Sequence, residues 1–260
     1  MTIQTLVSCV NQDVENIANK MNLQTDAIVI NQCKSNGYLE YEYNGHRICC
    51  YSFAERGVGL SRNNALLRAT ADVVLFSDED IVYEDGYAQR ILEAFEAYPK
   101  AQILLFNMDV EEDRRTYYTT EPTKVKWYNC GRYPTYSFAI RREPLHLSNV
   151  TFSLLFGGGA KYSNGEDSIF IRDCLKKGLQ AVALPVNIGK EVPRPSTWFD
   201  GYNEKFFFDR GVLYSYLYGC MAKPFAIRFL LKHRNIMFGK DAKISIKEAY
   251  SLMQKGFQEI

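Results

Sequence analysis

Apolar positions along the chain arrive in two alternating rhythms. Short unbroken runs, TIQTLVSCV (residues 2–10), TDAIVINQC (25–33), ADVVLFS (71–77) and AQILLFNMDV (101–110), read as buried strands. Between them the spacing turns helical: Val14, Ile17, Ala18 and Met21 mark one helix, Arg62 to Ala71 a second, and Gly86 to Tyr98 a third that Pro99 ends. Residues 34–50 are polar and tyrosine-rich, with β-type residues near their end (HRICCYSF). Strand and helix in alternation predict an α/β fold of Rossmann-like type, with a mostly parallel sheet flanked by helices. Ligands of such sheets collect beyond the carboxyl ends of the strands, where Ser8 to Asn11, Asn31 to Ser35 and Ser77 to Asp80 fall. One pocket can gather all three.

The second half is less regular. Glu111 to Arg142 mixes charges with Tyr117, Tyr118, Trp127, Tyr128, Tyr133 and Tyr136, which predicts loops and an extra β layer. Gly157, Gly158 and Gly159 make a turn, and Glu166 to Lys177 has helical periodicity closed by Gly178. Beyond about Trp198 the chain becomes aromatic and basic, and ISIKEAYSLMQKGFQEI reads as a terminal amphipathic helix.

Composition narrows the classes. At 260 residues, with 47% hydrophobic and 23% charged, the chain can bury a sizeable core, and a formal net charge of +1 argues against a general nucleic-acid binder. Seven cysteines without a CxxC pair or zinc spacing read as free thiols of a reducing compartment. Met1 to Val10 lacks the pattern of a signal peptide, and no window approaches a membrane span, so a cytoplasmic location with at most peripheral membrane contact is expected.

Chemistry concentrates at VVLFSDEDIVYEDG, residues 73–86, where a buried strand runs into three carboxylates. Asp78 and Asp80 stand two apart, a spacing that on an extended chain points both carboxylates to one side and lets them address one hard cation such as Mg²⁺ or Mn²⁺. A solvated acidic turn capping the next helix is the alternative. Glu166 and Asp167 open a helix; there a carboxylate can serve as a general base, or both can compensate the helix dipole. The two roles are compatible. Gly157 to Gly159 is either a plain connector or a place where backbone approaches a ligand closely. His46, His146 and His233 are too scattered to suggest a site.

Two blocks, ERGVGLSRNNALLRATADVVLFSDEDIVY (55–83) and GGGAKYSNGEDSIFIRDCLKKG (157–178), in this order and separation, resemble the family 2 glycosyltransferases of glycosyltransferase A fold. The likeness covers roughly the first 200 residues. It implies a catalytic domain over 1–200, with a nucleotide-binding part about 1–110 and an acceptor-binding part about 111–200, followed by a C-terminal extension over 201–260. By resemblance Asp78 and Asp80 hold the metal and the donor diphosphate, and Arg62 and Asn63 of the GLSRNN segment lie at the donor. Ser8 and Asn11 belong to the nucleotide-contacting loop. Asn31 and Gln32 stand where many members carry an Asp that reads the base or ribose, and an amide supplies no full charge there. Asp167 takes the place of the family's base, with Glu166 orienting the acceptor. Gly158 and Gly159 adjoin the acceptor or donor sugar. No His lies between His146 and His233 to supply the further metal contact that members often have.

Trp198, after PRPST, either stacks on a sugar within a closing loop or anchors the C-terminal segment. The run from Lys223 to Lys240 is either an interfacial membrane segment or a helix packed on the catalytic domain. The activity the resemblance implies is transfer from a nucleoside diphosphate sugar, a UDP-sugar first among them, to a hydroxyl of a glycan or lipid-linked acceptor, with bacterial surface polysaccharide synthesis as the setting. A nucleotidyltransferase and a non-catalytic sugar-nucleotide or glycan-binding subunit are the competing readings. The former lacks an early Gly-rich, Lys-containing phosphate loop, and the latter would bind donor without turnover.

Overall fold

The four apolar runs form the middle of a 10-stranded sheet. The computed structural model describes all residues except 112–114, 116, 194–198, 200, 240, 241 and 260. Its first half contains β1 (Ile3–Val10), α1 (Ile17–Met21), β2 (Asp26–Gln32), β3 (Gly37–Tyr43), β4 (His46–Phe53), α2 (Val58–Arg68), β5 (Val73–Asp78), β6 (Ile81–Tyr83), α3 (Tyr87–Ala97) and β7 (Ile103–Asp109). The second half adds β8 (Thr123–Lys124), β9 (Phe138–Arg141), α4 (Arg142–Ser148), α5 (Glu166–Lys176), β10 (Ala181–Glu191), α6 (Glu204–Tyr218), α7 (Ala222–Lys232), α8 (Arg234–Met237) and α9 (Ile246–Phe257).

The strand order is β3-β4-β2-β1-β5-β9-β7-β10-β6, with β8 on β10. Strands β4, β2, β1 and β5 pair in parallel, as do β7 and β10, while β3, β6, β8 and β9 pair antiparallel to their neighbours. Alternate residues of one strand serve opposite faces. On β5, Val73 and Leu75 enter the core beneath α1 and α3, whereas Val74 and Phe76 enter the core beneath α2 and α5. Burial on both faces is why these strands are continuously apolar.

Two strands escape the sequence pattern. In place of the extra β layer expected from Glu111 to Arg142, the described residues there give β8 and β9, both joined to the main sheet; β9 has four residues and slots antiparallel between β5 and β7, too short for a period to register. β10 contains Pro185, which has no N–H for a ladder, and its pairing with β7 shifts register between Ala183 and Asn187 around that residue. Helix α2 begins at Val58, before the expected Arg62, because tertiary hydrogen bonds fix its first turn: Gly57 N–H donates to Gln32 Oε1 (2.8 Å) and Val58 N–H to the Gly158 carbonyl (2.9 Å).

The C-terminal helices build a separate cluster around Phe207, Leu213, Leu217, Ala226 and Met253, into which Phe156, Tyr162 and Ile169 of the preceding region project. Helix α9 opens with a capping box: Ser245 accepts from the Glu248 N–H and Glu248 accepts from the Ser245 N–H. All seven cysteines are free. Among the described residues no helix is long and apolar enough to cross a membrane.

Candidate active site

Parallel register sets Ser8 beside Asp78 and Val10 beside Gln32, so the carboxyl ends of β1, β2 and β5 share one edge. A cavity of about 750 Å³ opens there, lined by Ser8, Asn11, Gln12, Gln32, Arg56, Arg62, Asp78, Glu79, Gly158, Gly159 and Glu166. Its walls are cross-braced. Ser8 Oγ donates to Ser61 Oγ at 2.6 Å, tying β1 to α2. Asn31 accepts from the Gln12 N–H (3.1 Å) and donates to the Gln12 carbonyl (3.2 Å), which holds the loop after β1. Asn11 lies in the left-handed region at φ 51°, and its N–H donates to the Gln32 carbonyl.

Arg62 braces the wall of this cavity. Its Nη2 donates to Asp78 Oδ1 (2.9 Å) and its Nη1 to Glu166 Oε1 (2.8 Å), joining residues from α2, β5 and α5. The side chain is only 5% exposed and lies 5.4 Å from the Phe152 ring centroid. Burial opposes its charge, but the carboxylates of Asp78 and Glu166 outweigh that opposition and hold the guanidinium above its usual pKa. Its Nε is buried without a hydrogen-bond partner. Removing Arg62 would strand two partly buried carboxylates, the situation in which breaking a buried pair costs about 3–5 kcal/mol.

The second cavity, of about 560 Å³, lies on the other side of Glu166 and Gly158, which line both. Asp167 lines it together with Arg132, Tyr133, Asn164, Lys205, Phe206 and Arg210. Asp167 Oδ1 accepts from the Ser168 N–H (2.6 Å) and hydroxyl (3.1 Å). Burial first, then the neighbouring Glu166 charge, pushes its carboxyl up to about 7, against the lowering pull of Ser168 and Arg62. Ionised at mildly alkaline pH and protonatable near neutrality, it suits a general base.

The glycine turn has a steric reason. Gly157 sits at φ +103°, and a Cβ there would lie 2.7 Å from Val58 Cγ1 and 2.8 Å from Glu166 Oε2. Gly159 sits at φ +80°, with room for a Cβ only 3.1 Å from the Gly57 nitrogen. A side chain at Gly157 would displace the carboxylate that holds Arg62.

Of the residues expected at the donor, the structure gathers Ser8, Asn11, Gln32, Arg62 and Asp78 around the first cavity, with Gly158 and Gly159. Asn63 has a different task. Its Nδ2 donates to the Phe152 carbonyl (2.9 Å) and its Oδ1 accepts the Phe152 N–H (2.8 Å), so its amide is committed to backbone and it is absent from the cavity wall. Asp80 is likewise outside the wall: β5 ends at Asp78 and residues 79–80 form a turn, so the extended-chain geometry expected for the Asp78–Asp80 pair does not hold, and the Asp80 carbonyl accepts from the Val192 N–H just past β10. Trp198 lies outside the described residues. Arg56 and Glu79 line the first cavity, and Arg132, Lys205 and Arg210 the second, without having been assigned a role from the sequence. A charged residue beside a motif glycine (Arg56) and the central acid of the DED triplet (Glu79) were the available signals.

Among the described residues, no three His, Cys, Asp or Glu side chains converge as a ready cage for a metal ion. A Mg²⁺-type site needs only one or two protein carboxylates when diphosphate and water supply the remaining oxygens. Asp78, 26% exposed at the cavity and using Oδ1 for Arg62, fits that kind of donor set.

The fold is the glycosyltransferase A fold, that of a class of enzymes that transfer sugars. Residues 1–349 of TarS from S. aureus share that fold, with 15% sequence identity, a TM-score of 0.63, and coverage of 99% of this chain and 80% of that one. The same TarS fragment in complex with UDP-GlcNAc gives a TM-score of 0.64 at 15% identity, covering 99% and 78% of the two chains. No protein of curated function matches the sequence. The family model for glycosyl transferase family 2 matches residues 3–154, and the chain belongs to that family. It is a glycosyltransferase.

Proposed function

We propose that this glycosyltransferase takes its sugar from a nucleoside diphosphate sugar, a UDP-sugar first among them, and inverts the anomeric centre as it passes the sugar to a hydroxyl of a glycan or lipid-linked acceptor. The observation that carries the reading is the junction of two cavities at Gly158 and Glu166, with Asp78 on one side, Asp167 on the other, and Arg62 bonded to both Asp78 and the shared Glu166. The neighbour solved with UDP-GlcNAc supports the choice of donor.

In this reading the donor-side cavity takes the nucleotide, with Ser8, Asn11 and Gln32 along its wall. Asp78 would hold Mn²⁺ or Mg²⁺ at this wall, and Asp80, the second acid of the motif in the turn just beyond it, would add negative charge nearby. When bound, such an ion neutralises the diphosphate and eases its departure as the leaving group. Arg56 and Arg62 add positive charge to the same wall. Asp167 takes the proton from the acceptor hydroxyl as its oxygen attacks the anomeric carbon, and Glu166 orients Arg62 and the acceptor. The setting is surface polysaccharide synthesis on the cytoplasmic side. Residues 1–200 act as the catalytic unit and 201–260 as an extension that closes one side of the acceptor cavity.

Thermal melting with nucleotides tests the donor half. UDP or a UDP-sugar with Mn²⁺ at about 100 times its Kd should raise stability by about 2.7 kcal/mol, and chelation or Asp78→Ala should remove the effect. Equal stabilisation with and without metal, or none by any nucleotide, would overturn this assignment.

A further inference from the structure

We infer that the exposed face of α7, together with the neighbouring Trp127, is a docking surface for an anionic lipid bilayer. The helix divides cleanly. Ala222, Ala226 and Leu230 are buried against the C-terminal cluster, while Met221, Ile227 and Leu231 face solvent, Ile227 at 46% and Leu231 at 56% exposure. Residues 227 and 231 are four apart and so share one strip of the helix, and Ile236 of the adjoining α8 is also exposed, at 69%. Trp127 is half exposed and packs 5.9 Å from the Phe225 ring, which brings an amphipathic indole beside the same helix.

Charge complementarity names the occupant. Lys223, Arg228, Lys232 and Arg234 flank these apolar side chains, all exposed, and the sequence has no acidic residue between Asp209 and Asp241. The chain as a whole carries only +1, so this is a local concentration of positive charge. A protein partner for an apolar strip would meet four cations at its edge. Anionic headgroups neutralise them, while Ile227, Leu231 and Ile236 reach the acyl boundary and the long basic stems extend outward.

The surface also has a useful place in the fold. Arg210 of α6 lines the cavity beside Asp167, and its guanidinium lies 5.1 Å from the Phe229 ring centroid of α7. One helix layer therefore separates the acceptor-side cavity from the proposed bilayer contact. The inference does not depend on the donor assignment, since vesicle binding and nucleotide binding are read separately.

Co-sedimentation of the whole protein with vesicles tests it. Vesicles of phosphatidylcholine containing about 30% phosphatidylglycerol should bind the protein, pure phosphatidylcholine should not, and about 0.5 M NaCl should release it. Arg228→Ala with Lys232→Ala should weaken binding about 25-fold, at about fivefold for each basic residue. Ile227→Ser with Leu231→Ser should weaken it about tenfold or more while leaving the melting temperature in place. Equal binding to both vesicle types, or full competition by millimolar soluble glycerophosphate, would overturn the proposal. So would absence of vesicle binding together with self-association that the Ile227→Ser, Leu231→Ser variant abolishes, since a second copy would then cover the face.

Discussion

Asp167 offers the sharpest quantitative test, because its carboxyl is held at about 7 while an ordinary Asp titrates near 4. If Asp167 removes the acceptor proton, kcat/KM should follow its ionised fraction, about 0.1 at pH 6, 0.5 at pH 7 and 0.9 at pH 8. The rate should therefore rise close to tenfold from pH 6 to pH 8 and then flatten. Two named groups move this limb in opposite directions. Glu166→Gln removes the negative neighbour that helps raise Asp167 and should shift the limb to lower pH, whereas loss of Arg62 should shift it higher. Stability supplies an independent readout. A carboxyl whose folded pKa lies above its unfolded value contributes stability that is present below about pH 4 and is lost as pH rises through about 7. Asp167→Asn, which cannot ionise, should thus gain in melting temperature relative to wild type as pH rises from 5 to 8. The assay is transfer to acceptor at fixed low substrate across pH 5.5–9, paired with melts of the same samples. An acid limb near pH 4–5 that Glu166→Gln leaves in place would refute the reasoning, as would a melting difference that does not grow with pH.

Other outcomes follow from single contacts. Arg62→Met should destabilise the fold by about 3–5 kcal/mol in chemical denaturation, because Asp78 and Glu166 lose their shared cation. Gly157→Ala should cost about 1–3 kcal/mol and lower kcat at least tenfold, since the new Cβ meets Glu166 and the backbone is left-handed there; circular dichroism melts and initial rates check both. Phe152→Ala should cost about 3–5 kcal/mol in urea unfolding, because its ring stacks on Phe170 at 4.0 Å and lies edge-on to Phe76 beneath the site.

Much of the wall of the first cavity was legible before the fold was known, and the reason is geometric. Ser8, Gln32 and Asp78 sit at or near the ends of apolar runs, and parallel pairing necessarily brings such ends to one edge. The carboxylates of Glu166 and Asp167 could be placed for a similar reason, since helical spacing after a glycine marks a helix start. What the chain could not disclose were contacts between distant segments. Arg62 bridges Asp78 and Glu166, residues 16 and 104 positions away, and no local pattern encodes that. Asn63 sits beside Arg62 in the same motif, yet its amide turns to the Phe152 backbone 89 residues on. Strand β10 was hidden by Pro185, whose cost is absorbed by a register shift visible only once β7 lies alongside. Arg132 follows β8, whereas Lys205 and Arg210 share α6, and the three meet only because α6 folds against α5.

The central claim is a division of labour across Glu166: donor on the Asp78 side, proton removal on the Asp167 side. Calorimetric titration of a UDP-sugar with Mn²⁺, run beside transfer assays on wild type, Asp78→Ala and Asp167→Asn, separates the two. Asp78→Ala should lose metal-dependent donor binding, whereas Asp167→Asn should bind donor within about twofold of wild type and transfer sugar about 100-fold more slowly or worse. Normal transfer by Asp167→Asn, or loss of donor binding equal to that of Asp78→Ala, would contradict it.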